Sequence, residues 1–295
     1  MQPGSANSAF ATRVSDWFTA NARDLPWRHP HTPPWSVLVS EIMLQQTPVN
    51  RVLPAYQAWL LRWPTPAALA AAPAGDAVRM WGKLGYPRRA LRLHACAVAI
   101  TERHDGQVPD ELAELLALPG VGEYTARAVL AFAFGKRAAV VDINVRRVLV
   151  RAMGGQAMPG PPSTVRDLAA MQAVLPAADE PAARFCAATM ELGALVCTAA
   201  KPDCSHCPVT ELCAWRLADY PRYDGPVTRP QRFTGTDRQV RGLLLDVLRA
   251  ATGPVPQTAL DIVWSEPAQR QRAQDSLVAD GLIDPLPDGR YALPG

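Results

Sequence analysis

Two carboxylates and four thiols occupy positions where this chain could do chemistry. Glu41 lies in SVLVSEIMLQQTPV, where Val37, Leu38, Val39, Ile42, Met43 and Leu44 cover nearly the whole circumference of a helix, so that helix is buried. A carboxylate in that setting is costly unless it pairs with a cation or stays protonated. It reads either as a structural carboxylate tied to a neighbouring arginine or as an acid with a proton to give. Asp142 ends a short apolar run, Ala138 to Val141, and opens a helical pattern carrying Val145, Val148 and Leu149. A helix N-terminus favours its ionised form. The thiols are Cys197, Cys204, Cys207 and Cys213, a C-x6-C-x2-C-x5-C pattern within 17 residues. The N-terminus MQPGSANSAFATRVSDW lacks the basic start and apolar core of a signal peptide, which predicts a cytoplasmic protein. Thiols stay reduced there, so four closely spaced ones point to metal, and four thiolates suit zinc and a [4Fe–4S] cluster alike. Cys96 and Cys186 lie in apolar helical surroundings and read as core.

These groups need elements to position them. Leu118-Pro119-Gly120-Val121-Gly122 is a tight turn between two helical patterns, the second with Ala126, Val129, Leu130 and Phe132 on its apolar side. Glycines at 120 and 122 let the backbone turn sharply and leave its N–H groups open to an anion. The helix that follows adds the positive end of its dipole, so this helix-hairpin-helix pattern can hold a DNA phosphate without reading sequence. An ordinary turn between core helices has the same punctuation. The arrival of Asp142 after a buried apolar segment favours the functional reading.

At 295 residues and 48% hydrophobic content the chain supports two domains and an appendage. No apolar run of about 18 residues occurs, so no membrane span is expected. The net charge of +3 is mild, but residues 237–295 carry six arginines against eight acidic residues, which leaves the basic excess to the preceding part. Residues 8–22 predict an amphipathic helix, and the Pro-rich stretch 26–34 a fixed loop. Residues 51–104 predict helices punctuated by Pro64, Pro66 and Pro73, and 164–174 and 180–196 predict two more. Within WGKLGYPRRA, residues 81–90, two glycines, a tyrosine and three cations suit either a DNA-backbone loop or a helix connection with solvated arginines. Residues 221–236 read as a linker. Beyond it, a helical stripe over 240–248, helices near 256–264 and 267–280, and a turn at Asp288-Gly289 between two strand-like pieces predict a winged-helix-like module.

Together these motifs resemble the MutY-type adenine DNA glycosylases of the helix-hairpin-helix superfamily. The resemblance runs from residue 8 to about 220 and rests on LPWR at 25–28, SEIMLQQT at 40–47, LGY at 84–86, LPGVGEYTA at 118–126, VDINVRRV at 141–148 and the four-cysteine loop. It implies a mainly α, two-lobed glycosylase region over 1–220, with a six-helix lobe at about 30–135 and a cluster loop at 197–213. It also implies that Cys197, Cys204, Cys207 and Cys213 hold one [4Fe–4S] cluster. Glu41 matches the acid that protonates adenine in the flipped nucleotide, and Asp142 the carboxylate that stabilises the developing sugar cation, the two facing one cavity. Tyr124 and Asn144 match residues that support that step. Arg23, Trp27 and Arg28 correspond to the adenine pocket. Gln45, Gln46 and Tyr86 correspond to residues that engage the substrate, with Gln46 and Tyr86 wedged into the duplex around the base opposite adenine. Leu118, Gly120, Val121 and Gly122 correspond to the DNA-backbone turn. The implied reaction is hydrolysis of the N-glycosidic bond of adenine opposite 8-oxoguanine or guanine, by a monomer on double-stranded DNA in the cytoplasm, at the nucleoid. Two carboxylates in contrasting environments suit that chemistry, and the base must first leave the stack.

Tyr124 stands where endonuclease III-like relatives carry a Schiff-base lysine, which implies a monofunctional enzyme. Three features depart from the family. Residues 237–295 are too short for its larger C-terminal domain resembling nucleotide-triphosphate hydrolases. Pro87 follows LGY where a second tyrosine is common, and Ala187 stands where Gln or Glu is frequent. They leave open how strongly 8-oxoguanine is preferred over guanine. A thymine-removing mismatch glycosylase and a non-enzymatic iron–sulfur DNA-binding regulator are the alternatives; the Gln45-Gln46 pair speaks against the first, and Glu41 with Asp142 against the second.

Overall fold

A computed structural model describes residues 3–226 and 232–295, with side chains from Ala6 onward. In chain order the first helices are α1 (Pro3–Asn21), α2 (Pro34–Leu44), α3 (Val49–Arg62), α4 (Pro66–Ala70), α5 (Ala74–Trp81) and α6 (Arg88–Arg103). Then follow α7 (Leu112–Leu116), α8 (Glu123–Phe134), α9 (Ile143–Ala152), α10 (Thr164–Gln172), α11 (Asp179–Leu195) and α12 (Ala214–Leu217). The C-terminal part comprises α13 (Asp237–Ala250), β1 (Val255–Pro256), α14 (Gln257–Asp261), α15 (Pro267–Ala279), β2 (Asp284–Pro285) and β3 (Arg290–Ala292). The Pro-rich stretch is more ordered than its composition suggests. Pro26–Arg28 forms a single 3₁₀ turn, and α2 starts at Pro34 rather than Ser36. A proline in a first turn forfeits only an N–H that would have no helical partner.

The described residues fall into two compact units. The first comprises residues up to 38, 110–116 and 122–226. Its centre is α11, which packs on α1, α8 and α9. Phe10 of α1 meets Phe185 of α11 edge-to-face at 5.9 Å, both rings fully buried. Gly193 lets α11 approach α9: a Cβ there would stand 2.7 Å from Asn144 Cβ and 2.9 Å from the Asn144 carbonyl oxygen. Cys186 lies in this core, its thiol pushed up to about 11 by burial, as befits an inert thiol.

The second unit comprises residues 39–109, 117–121 and 232–295. Here α6 is the central helix, packed on α4 and α5, with its Leu93, Cys96 and Ile100 buried. Trp59 of α3 sits between Trp63 and Trp81 at 4.7 and 5.7 Å, both edge-to-face. Each such pair adds about 0.5–1.5 kcal/mol beyond area burial. In the C-terminal part, α13 packs on α14 and α15, and the strands form an antiparallel sheet in the order β1-β3-β2. Gly289, at φ 78°, makes the β2–β3 turn. β1 is too short for periodicity to reveal. Residues 232–295 fall in the same compact unit as 39–109. Of the expected linker at 221–236, residues 227–231 lie outside the described residues.

Candidate active site

Asp142 is the N-cap of α9. Its Oδ1 accepts the Val145 N–H at 2.7 Å and its Oδ2 accepts from Asn144 Nδ2 at 2.7 Å, so both oxygens are held by donors that favour the ionised form. Burial is the larger influence and raises the carboxyl above its ordinary value of 3.8, against the pull of those hydrogen bonds and of the Arg147 charge. Position at a helix N-terminus therefore does not by itself decide the protonation of Asp142, because the dipole works against a desolvated setting. Asn144 is fixed in turn: its Oδ1 accepts from Arg147 Nη2 at 2.7 Å. The same guanidinium donates to the Gly193 and Cys197 carbonyls, each at 2.7 Å. Arg147, only 6% exposed, thus connects the Asp142–Asn144 pair to the first residue of the cysteine loop.

Four cysteines, Cys197, Cys204, Cys207 and Cys213, line one cavity with Arg151 and Trp215. Arg151 donates to Cys197 Sγ at 3.4 Å and to the Thr198 and Ala199 carbonyls at 2.7 and 3.1 Å, and its guanidinium lies 4.6 Å from the Trp215 ring centroid. Among the described residues no three His, Cys, Asp or Glu side chains converge as a single metal ion requires.

Arg23 and Arg28 both bind Glu191 of α11. Arg23 Nε and Nη2 reach Oε1 and Oε2 at 2.8 and 2.7 Å, and Arg28 Nη2 reaches Oε2 at 2.9 Å. Burial would raise the Glu191 carboxyl, but these two guanidiniums overcome it and hold the group at about 2. Trp27, on the 3₁₀ turn between the two arginines, is buried. Tyr124 stands half-buried on the first turn of α8.

In the second unit, Glu41 is 5% exposed on α2. Gln45 and Gln46 follow at the end of that helix, with Gln46 exposed and left-handed at φ 55°. Tyr86 is also left-handed, at φ 47°, and half exposed. Exposed residues held in that conformation store strain and concentrate at functional sites. One buried cation ties the two turns together. Arg89 donates from Nη1 to the carbonyls of Ile42, Met43 and Gln45 at 2.9, 3.0 and 2.5 Å, and from Nη2 to Thr47 Oγ1 at 2.8 Å and the Gly85 carbonyl at 3.1 Å. Its guanidinium lies 5.1 Å from the Trp81 ring and 5.5 Å from that of Tyr86. Burial lowers Arg89 to about 10.

In the hairpin turn Leu118 and Val121 are buried while Gly120 and Gly122 are exposed. Gly120 has φ 79°, and a Cβ there would stand 2.7 Å from Arg92 Cβ. The Val121 N–H is already taken by the Leu118 carbonyl at 3.2 Å. The two apolar side chains therefore anchor the turn, and an anion would meet the glycine backbone.

The structure thus assembles Asp142 with Asn144, Arg23 with Arg28, Gln45 and Gln46 with Tyr86, and the four cysteines with one another. Three residues in these groups escape sequence reasoning: Glu191, Arg147 and Arg89. Glu191 carried the same signal as Glu41, a carboxylate inside an apolar helical run.

Residues 39–171 match the HhH-GPD superfamily of base excision DNA repair proteins. The adenine DNA glycosylase of Mycobacterium tuberculosis is 56% identical over 96% of this chain and 93% of its own length. A solved thermostable thymine-DNA glycosylase superposes with a TM-score of 0.66 and 27% identity, over 73% of this chain and 98% of that one. An endonuclease III solved as a non-covalent complex with DNA superposes at 0.60 with 23% identity, over 71% and 94%, a likeness of fold. This chain belongs to the MutY-type adenine DNA glycosylases of the helix-hairpin-helix superfamily. It is a base excision repair enzyme that hydrolyses the N-glycosidic bond of adenine in DNA.

Proposed function

We propose that the enzyme acts as a monomer on double-stranded DNA in the cytoplasm and removes adenine mispaired with 8-oxoguanine or guanine. Glu41 gives its proton to a ring nitrogen of the extruded adenine, and the C1′–N bond breaks with its electron pair leaving on the base. Asp142 stabilises the oxocarbenium-like sugar. Water then adds to C1′ and loses a proton, giving the abasic sugar and restoring the acid. Asn144 orients Asp142, and Tyr124, a phenol without an amine, supports the step but forms no Schiff base, so the strand is not cut. Arg23, Trp27 and Arg28 shape the adenine pocket, while Gln45, Gln46 and Tyr86 engage the duplex around the opposite base. The hairpin from Leu118 to Gly122 holds the backbone. The observation that carries this reading is the pair of donors fixed on Asp142, because a sugar cation needs a carboxylate held in place, and these donors favour its charged form against burial.

The cofactor in this reading is one [4Fe–4S] cluster, which the four cysteines lining one cavity support. Cys197, Cys204, Cys207 and Cys213 would hold it, and it would supply the folding energy of a loop with few apolar side chains of its own. Residues 237–295 are a winged-helix-like module in this reading, which their helix, strand, helix, helix, strand, strand order supports.

The test is a panel of duplexes containing adenine opposite 8-oxoguanine, guanine or thymine, with thymine opposite guanine as control. Adenine release from the first two is expected, without strand scission. Preferential thymine release, the activity named for the solved relative, overturns the reading.

A further inference from the structure

We infer that the C-terminal module is a buttress for the Tyr86 turn, and so helps to set how strongly the enzyme favours 8-oxoguanine over guanine opposite adenine. The inference rests on the proposed role of Tyr86 at that base.

The module grips α5 at both ends. At the C-terminal end the exchange is reciprocal. Arg79 of α5 donates to the last carbonyls of α13, Leu248 at 3.2 Å, Arg249, and Ala251 just beyond at 2.7 Å. Arg249 of α13 donates to the Val78 carbonyl of α5 at 3.0 Å. Each guanidinium satisfies carbonyls that a helix end leaves without partners, and meets the negative end of a dipole. At the N-terminal end the Gly75 N–H donates to the Pro294 carbonyl at 2.6 Å. Only glycine fits there, since a Cβ would stand 2.5 Å from that oxygen and 2.8 Å from Leu293 Cβ.

Beyond α5 the chain enters the turn that carries Tyr86. Gly82, Gly85 and Tyr86 have φ of 52°, 85° and 47°, so the backbone is left-handed at three of five positions. Tyrosine adopts that conformation only when its surroundings hold it. The module reaches both flanks. Asp246 of α13 lies 3.5 Å from Lys83, before Tyr86, and Asp280 at the end of α15 lies 3.2 Å from Arg88, after it. Asp280 is itself fixed by Arg241 at 2.6 Å. Two of the three cations of the turn therefore face module carboxylates, and the third, Arg89, is buried. The cations of α15, by contrast, pair within the module: Arg270 lies 3.1 Å from Asp261 and donates to the Trp264 carbonyl at 2.7 Å, and the exposed Arg272 lies 3.7 Å from Asp237.

The experiment uses the full chain with Asp246→Asn/Asp280→Asn, which loosens the flanks without changing shape. Arg79→Gln, which uncaps α13 at the other end of the same contact, is the second variant. Single-turnover adenine release opposite 8-oxoguanine and opposite guanine is measured with amide hydrogen exchange. Expected are a fall of about fivefold or more in the ratio of the two rates and faster exchange over 82–88, with exchange over α9 and 197–213 unchanged. An unchanged ratio, or an altered ratio with unaltered exchange at 82–88, overturns the inference. If the unmodified enzyme releases adenine from neither duplex, the proposed substrate fails, an outcome distinct from loss of the buttress alone.

Discussion

Asn144 Nδ2 lies 2.7 Å from Asp142 Oδ2, and Asn144 Oδ1 lies 2.7 Å from Arg147 Nη2, so one amide passes an orientation from a buried guanidinium to a carboxylate. The arrangement separates two demands on Asp142. As an N-cap it accepts the Val145 N–H, a task any short polar side chain performs. As a charged group it is desolvated, which the fold tolerates at a cost in stability.

That cost predicts an opposed pair of effects in Asp142→Asn. Adenine release should fall by about 10²–10⁴, the range of a positioned acid–base or electrostatic group, with duplex binding retained. Stability should move the other way. A carboxyl whose folded pKa is raised binds its proton more tightly in the folded state, so stability falls as pH rises through the window above the ordinary 3.8 and stays lower beyond it. Asparagine keeps the cap and does not ionise. Denaturant midpoints should therefore be higher in the variant at pH 7 and equal at pH 3. Near-normal turnover would remove Asp142 from the chemistry.

Arg147→Lys tests how far the orientation depends on the cysteine loop. A lysine keeps the charge but cannot fork between Asn144, Gly193 and Cys197. Single-turnover release should drop about 10–100-fold, as for other groups that orient a ligand or reagent from behind, while duplex Kd changes by less than about threefold. A Kd that weakens as much as the rate would mark the residue as purely structural. Cys204→Ser provides the companion measurement: on the proposed cluster it should lose iron content and visible absorbance and bind DNA more weakly.

Glu191 gives a pH dependence of the opposite sign. Its carboxyl is depressed from 4.5 to about 2, so its stabilisation is fully present above 4.5 and lost as pH falls toward 2. Wild-type stability should decline across that window, and Glu191→Gln should flatten the decline. Glu191→Ala leaves Arg23 and Arg28 without their shared anion and should cost about 3 kcal/mol at neutral pH, the lower end for a broken buried pair because both arginines retain some solvent contact. Urea titrations at pH 7 and pH 3 are sufficient; parallel curves for all three proteins would show that the ion pairs contribute nothing.

The helices were legible because their apolar stripes are long: Val145, Val148 and Leu149 on α9 and Val240, Leu244 and Leu248 on α13 are all buried as periodicity requires. The hairpin and Asp142 were legible because glycine and a capping carboxylate have local reasons to stand where they do. The arginines were not. Arg89 and Arg147 sit beside Arg88 and Arg146 in the sequence with nothing to tell which arginine has which partner, and the partners lie 42 to 50 residues away in Thr47 and Cys197. The module's docking escaped for the same reason. Gly75 and Pro294 each look like ordinary punctuation until the N–H of one meets the carbonyl of the other.

Arg89 offers the sharpest separation of fold from function. Five hydrogen bonds from its guanidinium span the end of α2 and the turn before α6, and two exposed left-handed residues, Gln46 and Tyr86, stand on the segments it joins. Removing the side chain altogether in Arg89→Ala strands these buried acceptors and should destabilise the protein by about 3 kcal/mol or more, at about 1–3 kcal/mol for each hydrogen bond to a charged donor and far from additive. Arg89→Lys is the informative change. One ammonium can serve two or three of the acceptors, so the protein should fold with a modest loss in Tm, but the planar fork that sets one turn against the other is gone. On the roles proposed for Gln46 and Tyr86 at the base opposite adenine, adenine release should then fall most opposite 8-oxoguanine and least opposite guanine. Rates measured on both duplexes at a temperature well below the variant's Tm provide the check. An equal fall on both duplexes would confine Arg89 to holding the lobe together.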